Sequence, residues 1–182
     1  WMEPVLRISD PVSCLSIQYS HPEWIVSAYF DLLKDFERVE AELSANNVPA
    51  MPTLVSWPGS STQEELVAEG GVATRYSPYG AKFDGPPGSL DLIRHRKAGV
   101  QDEGSQLVAL AFSNATQSAK SVLDLCAGPG GKAALISHIC DVEGRYFVAN
   151  EVSEARAKLV KNVVGRFPVW VGDGREIASH DQ

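Results

Sequence analysis

Residues 122–132 constrain the fold of this chain more than any other segment does. They read Val-Leu-Asp-Leu-Cys-Ala-Gly-Pro-Gly-Gly-Lys, so that a short apolar strand with one acid, Asp124, runs into a glycine-rich loop. The residues that follow, 133–139, are compatible with a helix. In open α/β sheets, such a strand, loop and helix form a ligand crevice at the carboxyl end of the strand. Because glycines let backbone N–H groups approach a ligand closely, the run predicts an α/β fold with a cofactor site at this loop.

Two kinds of phosphate-binding loop can be compared with this segment. A P-loop requires a Ser or Thr where Ala133 stands and a first glycine where Cys126 stands, so that class is excluded. The dinucleotide fingerprint Gly-x-Gly-x-x-Gly/Ala is matched by Gly128, Gly130 and Ala133. Glu151 also lies at about the distance expected for a ribose-binding acid. A nicotinamide-dinucleotide-binding domain therefore stays open as an alternative.

An S-adenosylmethionine site is the third hypothesis. It requires an acid within the first strand, a glycine loop beside the amino-acid part of the cofactor, and an acid at the end of the second strand for the ribose hydroxyls. Asp124 and Glu151 stand at these two positions, and a dinucleotide fold does not require Asp124. A buried strand acid is costly unless something pairs with it. We therefore expect an ammonium group or backbone donors near Asp124.

The exact amino-acid sequence of residues 122–132 distinguishes between protein families better than the spacing of its glycines does. It closely resembles motif I of the Sun/Fmu (RsmB-type) RNA cytosine-5 methyltransferases, and the bacterial small-subunit rRNA branch of that family is the most similar. Other stretches resemble segments of the family in the same order: residues 19–24, 45–49, 99–108, 150–152 with Arg156, and 172–175.

The resemblance implies an S-adenosylmethionine-dependent enzyme whose partner is RNA, in particular small-subunit rRNA. The implied fold is α/β, with the N-terminal half of a class I (Rossmann-like) methyltransferase sheet preceded by a small α+β domain of RNA-recognition-like form. Glu151 would hold the ribose hydroxyls, and Asp173 would accept from the adenine amino group. The cofactor-binding residues that it implies are Cys126, Ala127, Gly128, Pro129, Gly130, Gly131, Lys132, Glu151, Arg156, Asp173 and Gly174.

No residue of this chain is assigned as a catalytic nucleophile. Members of the family carry two cysteines in motifs later than those matched here, and we expect the nucleophilic cysteine beyond Gln182. The cysteines of this chain are Cys14, Cys126 and Cys140. Cys126 lies in the cofactor loop, where it packs or contacts cofactor, and Cys140 is expected to be a small buried residue. We therefore expect these 182 residues alone to be inactive, and a noncatalytic RNA- or cofactor-binding module remains an alternative.

Composition limits the other function classes. The cysteines lack CxxC spacing, so we expect neither disulfides nor a metal site. The apolar runs are too short to span a bilayer and no signal segment opens the chain, so we expect a cytoplasmic protein with no membrane partner. A net charge of −7 is unusual for an RNA-binding protein. The candidate RNA contacts are the basic residues Arg94, Arg96 and Lys97, for which a solvated turn is the alternative.

Patterning predicts three regions: a helical segment (1–45), a small α+β domain (46–98) and a partial cofactor-binding domain (99–182). In the first region, a capping box of Ser20 and Glu23 around Pro22 would open one helix that runs to Leu43. In the second, we expect strands at 53–57, 74–76 and 90–93 and a helix at 62–69. In the third, we expect helices at 101–115, 131–139 and 154–164 and strands at 122–125, 146–150 and 169–172.

The number of strands in the third region has a consequence for stability. The first strand of a class I sheet lies in its middle, and only three strands are predicted here. The open edge of residues 122–125 would then expose unpaired backbone and apolar faces. We expect another segment, a second chain or a rearrangement to cover it, and the oligomeric state is left open.

Overall fold

In the computed structural model, residues 10–176 are described, and the chain forms two compact units, residues 1–50 and 51–182. The first unit contains the helices α1 (Pro11–Tyr19), α2 (Glu23–Leu33) and α3 (Phe36–Asn46). Each helix contributes at least one fully buried apolar side chain to a shared core, formed by Leu15, Val26, Val39 and Leu43. The sequence did not predict α1, which begins after the capping side chain of Asp10.

The single helix predicted from Pro22 to Leu43 is wrong, because the chain breaks between α2 and α3. Lys34 adopts a left-handed conformation (φ 54°) that ends α2, and the side chain of Asp35 then caps α3. The predicted Ser20–Glu23 capping box is also wrong. Ser20 instead ends α1 in a left-handed conformation, and α2 begins after Pro22 without a side-chain cap.

The second unit begins with a four-stranded antiparallel sheet. Its strands have the order β2-β3-β1-β4, and all three neighbouring pairs are antiparallel. This is the split β-α-β-β-α-β arrangement of a ferredoxin-like sheet. In chain order the elements are β1 (Thr53–Ser56), α4 (Gln63–Ala68), β2 (Val72–Ala73), β3 (Gly80–Lys82), α5 (Asp91–Arg94) and β4 (Ala98–Val100).

The prediction for this sheet was correct at β1 and α4 and wrong elsewhere. Thr62 and Glu65 form a capping box at the start of α4. Residues 90–93, predicted as a strand, instead contribute to the short helix α5, in which Asp91 and Arg94 form an ion pair one turn apart (2.7 Å). The strand expected at 74–76 lies earlier, at β2, and β3 and β4 were missed because both consist largely of glycine and alanine.

A parallel sheet of order β5-β6-β7 completes the second unit. Its elements are α6 (Glu103–Ala115), β5 (Ser121–Asp124), α7 (Gly131–Val142), β6 (Tyr146–Glu151), α8 (Glu154–Lys161) and β7 (Val169–Val171). Every element predicted for this region is present, with ends that differ by up to three residues. The alternation of strands and helices places the carboxyl ends of all three strands at one edge, where ligands bind in such sheets.

The two sheets of the second unit share a hydrophobic core. Val55 and Trp57, from β1 and the residue after it, are buried in the same cluster as Val122, Leu135 and Phe147 of the parallel layer. The other face of the antiparallel sheet has its own buried cluster, which includes residues of α4 and α5. Both faces of the small sheet are therefore covered. β4 also crosses the boundary that was predicted between the regions 46–98 and 99–182. The division of the chain into domains at this boundary stays a prediction.

The open edge predicted for the parallel sheet is present in the described part of the chain, residues 10–176. β5 pairs with β6 on one side only. Leu123 and Leu125 are 41% and 43% exposed, and Val108 and Phe112 of the neighbouring α6 are also exposed. In a parallel sheet, apolar strands of this kind are usually covered on both faces of the sheet.

Candidate functional site

The residues that follow β5, β6 and β7 meet in a cavity of about 330 Å³. The glycine loop after β5 lies on one side of it, and the segment after β7 lies on the other. Its lining residues are Leu125, Cys126, Asn150, Glu151, Val152, Arg156, Asp173 and Gly174. We call this space the strand-end pocket. It brings together five of the predicted cofactor-binding residues: Cys126, Glu151, Arg156, Asp173 and Gly174.

Glu151 connects the glycine loop to the start of α8. Although its side chain is charged, it is only 4% exposed. Its carboxylate accepts hydrogen bonds from the backbone N–H groups of Gly128 and Ser153, both at 3.0 Å, and Arg156 lies 3.7 Å away. The Ser153 N–H, together with Arg156 and the Gly128 N–H, holds the pKa of Glu151 below its usual value. Glu151 is therefore a charged acceptor at neutral pH.

The lack of a side chain at Gly128 makes room for this contact. A Cβ atom there would collide with the carboxylate of Glu151 and would also lie 2.9 Å from the Arg156 side chain. The guanidinium of Arg156 also donates to the carbonyl oxygen of Gly128. A side chain at residue 128 would therefore displace Glu151 or Arg156 from this arrangement.

Asp124, the strand acid, has a backbone donor as expected. Its carboxylate accepts from the backbone N–H of Cys126 at 3.2 Å. Burial raises the pKa of Asp124, while the Cys126 N–H and the charge of Lys132 act in the opposite direction. Asp124 and Lys132 line a smaller cavity of about 190 Å³ beside the open edge of β5. Asp124 therefore lines a different cavity from the one that Glu151 lines.

Asn150 is a pocket residue that the sequence analysis did not single out as a ligand-site residue. It is 2% exposed, and its Nδ2 donates to the carbonyl oxygens of Leu125 (3.0 Å) and Gly172 (3.2 Å). One side chain of β6 thus links the segments that follow β5 and β7. Its Oδ1 is buried without a hydrogen-bond partner in the described part of the chain. The only sequence signal was its position directly before Glu151.

Asp173 lies on the pocket wall after β7. Its carboxylate accepts from Arg175 Nε at 3.0 Å and from the Arg175 backbone N–H at 3.0 Å. The Arg175 side chain holds the pKa of Asp173 below its usual value. Next to it, a Cβ atom on Gly174 would lie 2.8 Å from the Leu125 side chain, so this segment also packs closely on the β5 side.

The remaining predicted cofactor residues do not line the strand-end pocket. Ala127 is buried in the core, and the Gly128 N–H reaches the pocket wall only through Glu151. Pro129, Gly130 and Gly131 line a different cavity, of about 440 Å³, on the other side of the loop. Lys132 belongs to the cavity beside β5. The glycine loop therefore lies between the strand-end pocket and these two other cavities.

The candidate RNA contacts Arg94, Arg96 and Lys97 are all exposed. Arg94 is paired with Asp91 of its own helix. Arg96 adopts a left-handed conformation (φ 54°), and its guanidinium donates to Asn162 Oδ1 at 3.3 Å. Of the three, Arg96 alone lines a described cavity, the one of about 440 Å³.

The cysteines have three different environments. Cys126 is exposed in the strand-end pocket, Cys14 is half-buried, and Cys140 is buried as expected, which raises the pKa of its thiol. The catalytic cysteine was expected beyond Gln182, and Gln182 itself lies outside the described residues, 10–176. The position of the nucleophile therefore stays a prediction.

His138 is a half-buried side chain on α7. Its ring stacks on Trp57 with centroids 5.0 Å apart. Burial lowers the pKa of His138, so the ring packs in its neutral form at pH 7.

Two other kinds of site are absent from residues 10–176. No group of three or more His, Cys, Asp or Glu side chains there could hold a metal ion. None of the helices within that range is long and apolar enough to cross a membrane.

Comparisons with known proteins find relatives whose sequences are similar to most of this chain. Two proteins of Mycobacterium tuberculosis, from strains CDC 1551 and H37Rv and named for an inferred methyltransferase activity, are each 38% identical over 166 residues, which cover 88% of this chain and 36% of theirs. The Bacillus subtilis protein named "Probable ribosomal RNA small subunit methyltransferase B" is 29% identical over 171 residues, covering 90% of this chain and 37% of its own length. The chain thus spans little more than a third of these relatives.

The fold has a counterpart among solved structures. The crystal structure of PH0851 matches with a TM-score of 0.71 and 19% identity, over 92% of this chain and 40% of that one. Residues 110–180 match the family model of the 16S rRNA methyltransferases RsmB/F. The resemblance predicted from the motifs is therefore confirmed: residues 110–180 carry the sequence pattern of the RsmB/F family of 16S rRNA methyltransferases.

Proposed function

We propose that this chain is part of an S-adenosylmethionine-dependent rRNA methyltransferase that modifies C5 of a cytosine in small-subunit rRNA. The observation that carries the proposal is the buried, ionised carboxylate of Glu151 beneath the glycine loop. A charged acceptor at the end of a second parallel strand is what a ribose diol requires. The family match over residues 110–180 supports the reaction class, and the cytosine specificity follows from the resemblance of the motifs.

The strand-end pocket fits the adenosine part of this cofactor. A carboxylate has about four lone-pair directions, and two backbone N–H groups use part of that capacity at Glu151. Ribose hydroxyls can use the remainder. Asp173 lies across the pocket as an acceptor for the adenine amino group, with Leu125 and Val152 as apolar walls. When bound, the cofactor supplies the methyl group, and these side chains bind and orient it.

The RNA substrate is proposed from the family and from the basic cluster. Arg94, Arg96 and Lys97 form a local patch of positive charge on a chain of net charge −7. Contacts with phosphate groups depend on positive charge at the binding surface, and the net charge of the whole protein matters less. We place the protein in the cytoplasm, where it would meet ribosomal RNA.

A nicotinamide dinucleotide fits this arrangement less well. Its pyrophosphate would contact the N-terminus of the helix that follows the glycine loop, while its ribose would contact the acid. Here Gly130 and Gly131, at the start of α7, line one cavity, and Glu151 lines another. A single dinucleotide would have to span the loop between them.

Calorimetry on the protein tests the assignment. We expect S-adenosylhomocysteine to bind more tightly than NAD, and adenosine to compete with it, because the strand-end pocket holds the adenosine part. Tighter binding of NAD would refute the proposal. If neither ligand binds a protein whose unfolding transition is cooperative, the strand-end pocket is not a nucleoside site and the proposal fails as well.

A further inference from the structure

The largest described cavity of the second unit is not the strand-end pocket. It has a volume of about 440 Å³ and lies between β4, the glycine loop and the end of α8. It shares no lining residue with the strand-end pocket. Cavities of this size bind small molecules, provided that a few polar groups accompany apolar walls. We call it the second cavity.

The charged group that lines the second cavity is positive. Arg96 is its single charged lining residue, and no Asp or Glu lines it. Asn162, at the end of α8, accepts a hydrogen bond from the Arg96 guanidinium at 3.3 Å and lines the same cavity. On a chain of net charge −7 this is a local site for an anion. A guanidinium held in this way is suited to a phosphate group.

The apolar wall of the second cavity contains two polar atoms without partners. Trp57 and Gln101 are 5% and 6% exposed, and neither Trp57 Nε1 nor Gln101 Oε1 has a hydrogen-bond partner in the described part of the chain. Gln101 Nε2 donates to Ser105 Oγ at 3.2 Å, which leaves the oxygen as the free acceptor. The wall thus carries one donor and one acceptor. Both atoms are covered from solvent, so pairing with a ligand requires these side chains to rotate.

We propose that the second cavity binds one nucleotide, with its base against the apolar wall and its phosphate at Arg96. A nucleobase edge offers a donor beside an acceptor, which complements the indole N–H and the amide oxygen. The nucleotide is either a free nucleoside monophosphate or one residue of a single-stranded RNA. The site does not depend on the proposed methyl transfer, because the cofactor would bind on the other side of the loop.

Binding is measured on the protein with S-adenosylhomocysteine present in excess, so that the strand-end pocket is occupied. The probes are AMP, CMP, adenosine and a ten-residue single-stranded RNA. Arg96→Gln removes the proposed phosphate contact, and Arg166→Gln is the matched control, since Arg166 is also an exposed arginine but lies outside the basic cluster and does not line the cavity. We expect Arg96→Gln to weaken binding by about tenfold and Arg166→Gln to change it less than about twofold.

The two sources of the nucleotide give different results. Binding of AMP or CMP alone indicates a free nucleotide, whereas binding of the RNA with little affinity for the monophosphates indicates a residue of RNA. Equal affinity for AMP and adenosine would overturn the phosphate contact. Loss of binding when S-adenosylhomocysteine is added would place the nucleotide in the strand-end pocket and would also overturn the proposal.

A second readout reports on the wall itself. The indole N–H resonance of Trp57 is assigned by its disappearance in Trp57→Phe, and we expect it to move downfield when the nucleotide binds, because the donor gains an acceptor. The other indole resonances serve as internal controls. If the nucleotide binds while the Trp57 resonance does not move, the base does not occupy the second cavity and the proposal is wrong.

Discussion

Replacement of Asn150 by leucine tests how the strand-end pocket is held together. The Asn150 amide donates two part-buried hydrogen bonds, to the carbonyl oxygens of Leu125 and Gly172. A typical hydrogen bond contributes about 0.5–1.5 kcal/mol, so that the two together contribute about 1–3 kcal/mol. Leucine has a similar size and also removes the unpartnered Oδ1, which offsets part of the loss. We therefore expect a net destabilisation of about 2 kcal/mol.

The assay is thermal or urea unfolding, with Asn114→Leu as the control, since Asn114 is exposed on α6. For a protein of this size, about 2 kcal/mol lowers the melting temperature by roughly 4–8 °C, whereas the control should change the free energy of unfolding by less than about 0.5 kcal/mol. Affinity for S-adenosylhomocysteine should also fall, because both linked segments line the pocket. If Asn150→Leu and Asn114→Leu unfold alike, Asn150 does not link the strand ends.

Three further predictions concern the loop and the reaction. Gly128→Ala should weaken binding of S-adenosylhomocysteine at least about tenfold, because the new methyl group would collide with Glu151; unchanged affinity by calorimetry would show that the loop relaxes freely. Asp124→Asn should raise the melting temperature at pH 7, since burial raises the pKa of Asp124 and its ionised form is the unfavourable one. That gain should shrink as the pH falls and Asp124 becomes protonated in the parent protein, and a gain that is independent of pH would contradict this cause. Finally, the 182-residue chain should transfer no label from S-adenosylmethionine to undermodified small-subunit rRNA, because the resemblance to the family implies a nucleophilic cysteine beyond Gln182; label at cytosine C5 would refute this.

The parallel sheet was predictable because its signals are local. The apolar runs of β5 and β6 and the glycines between β5 and α7 specify strand, turn and helix without help from distant residues. The antiparallel sheet was not predictable in the same way. β3 and β4 contain little besides glycine and alanine, and they are strands because β1 pairs with them on both sides. Strand preference depends on such context more than helix preference does.

Sequence motifs located the candidate site, but they did not predict which cavity each residue of the glycine loop lines. Glu151 was singled out by its position after an apolar strand and Asp173 by the resemblance to the family, and both line the strand-end pocket. Gly130 and Gly131 were assigned to the same site, yet they face the second cavity, because the direction of backbone groups in a turn cannot be deduced from composition. Asn150 gave no chemical signal in the sequence, since its role depends on two carbonyl oxygens that only the fold brings near it.

The most direct test of the account is whether the Glu151 carboxylate binds ribose hydroxyls. It compares S-adenosylhomocysteine with its 2′-deoxy analogue on the parent protein, on Glu151→Gln, and on the control Glu154→Gln, whose side chain is exposed on α8. We predict that loss of the hydroxyl weakens binding about tenfold or more in the parent and in the control, as for a hydrogen bond to a charged group. In Glu151→Gln, the same change of ligand should have little effect. An equal loss in all three proteins would show that the ribose binds elsewhere and would contradict the account.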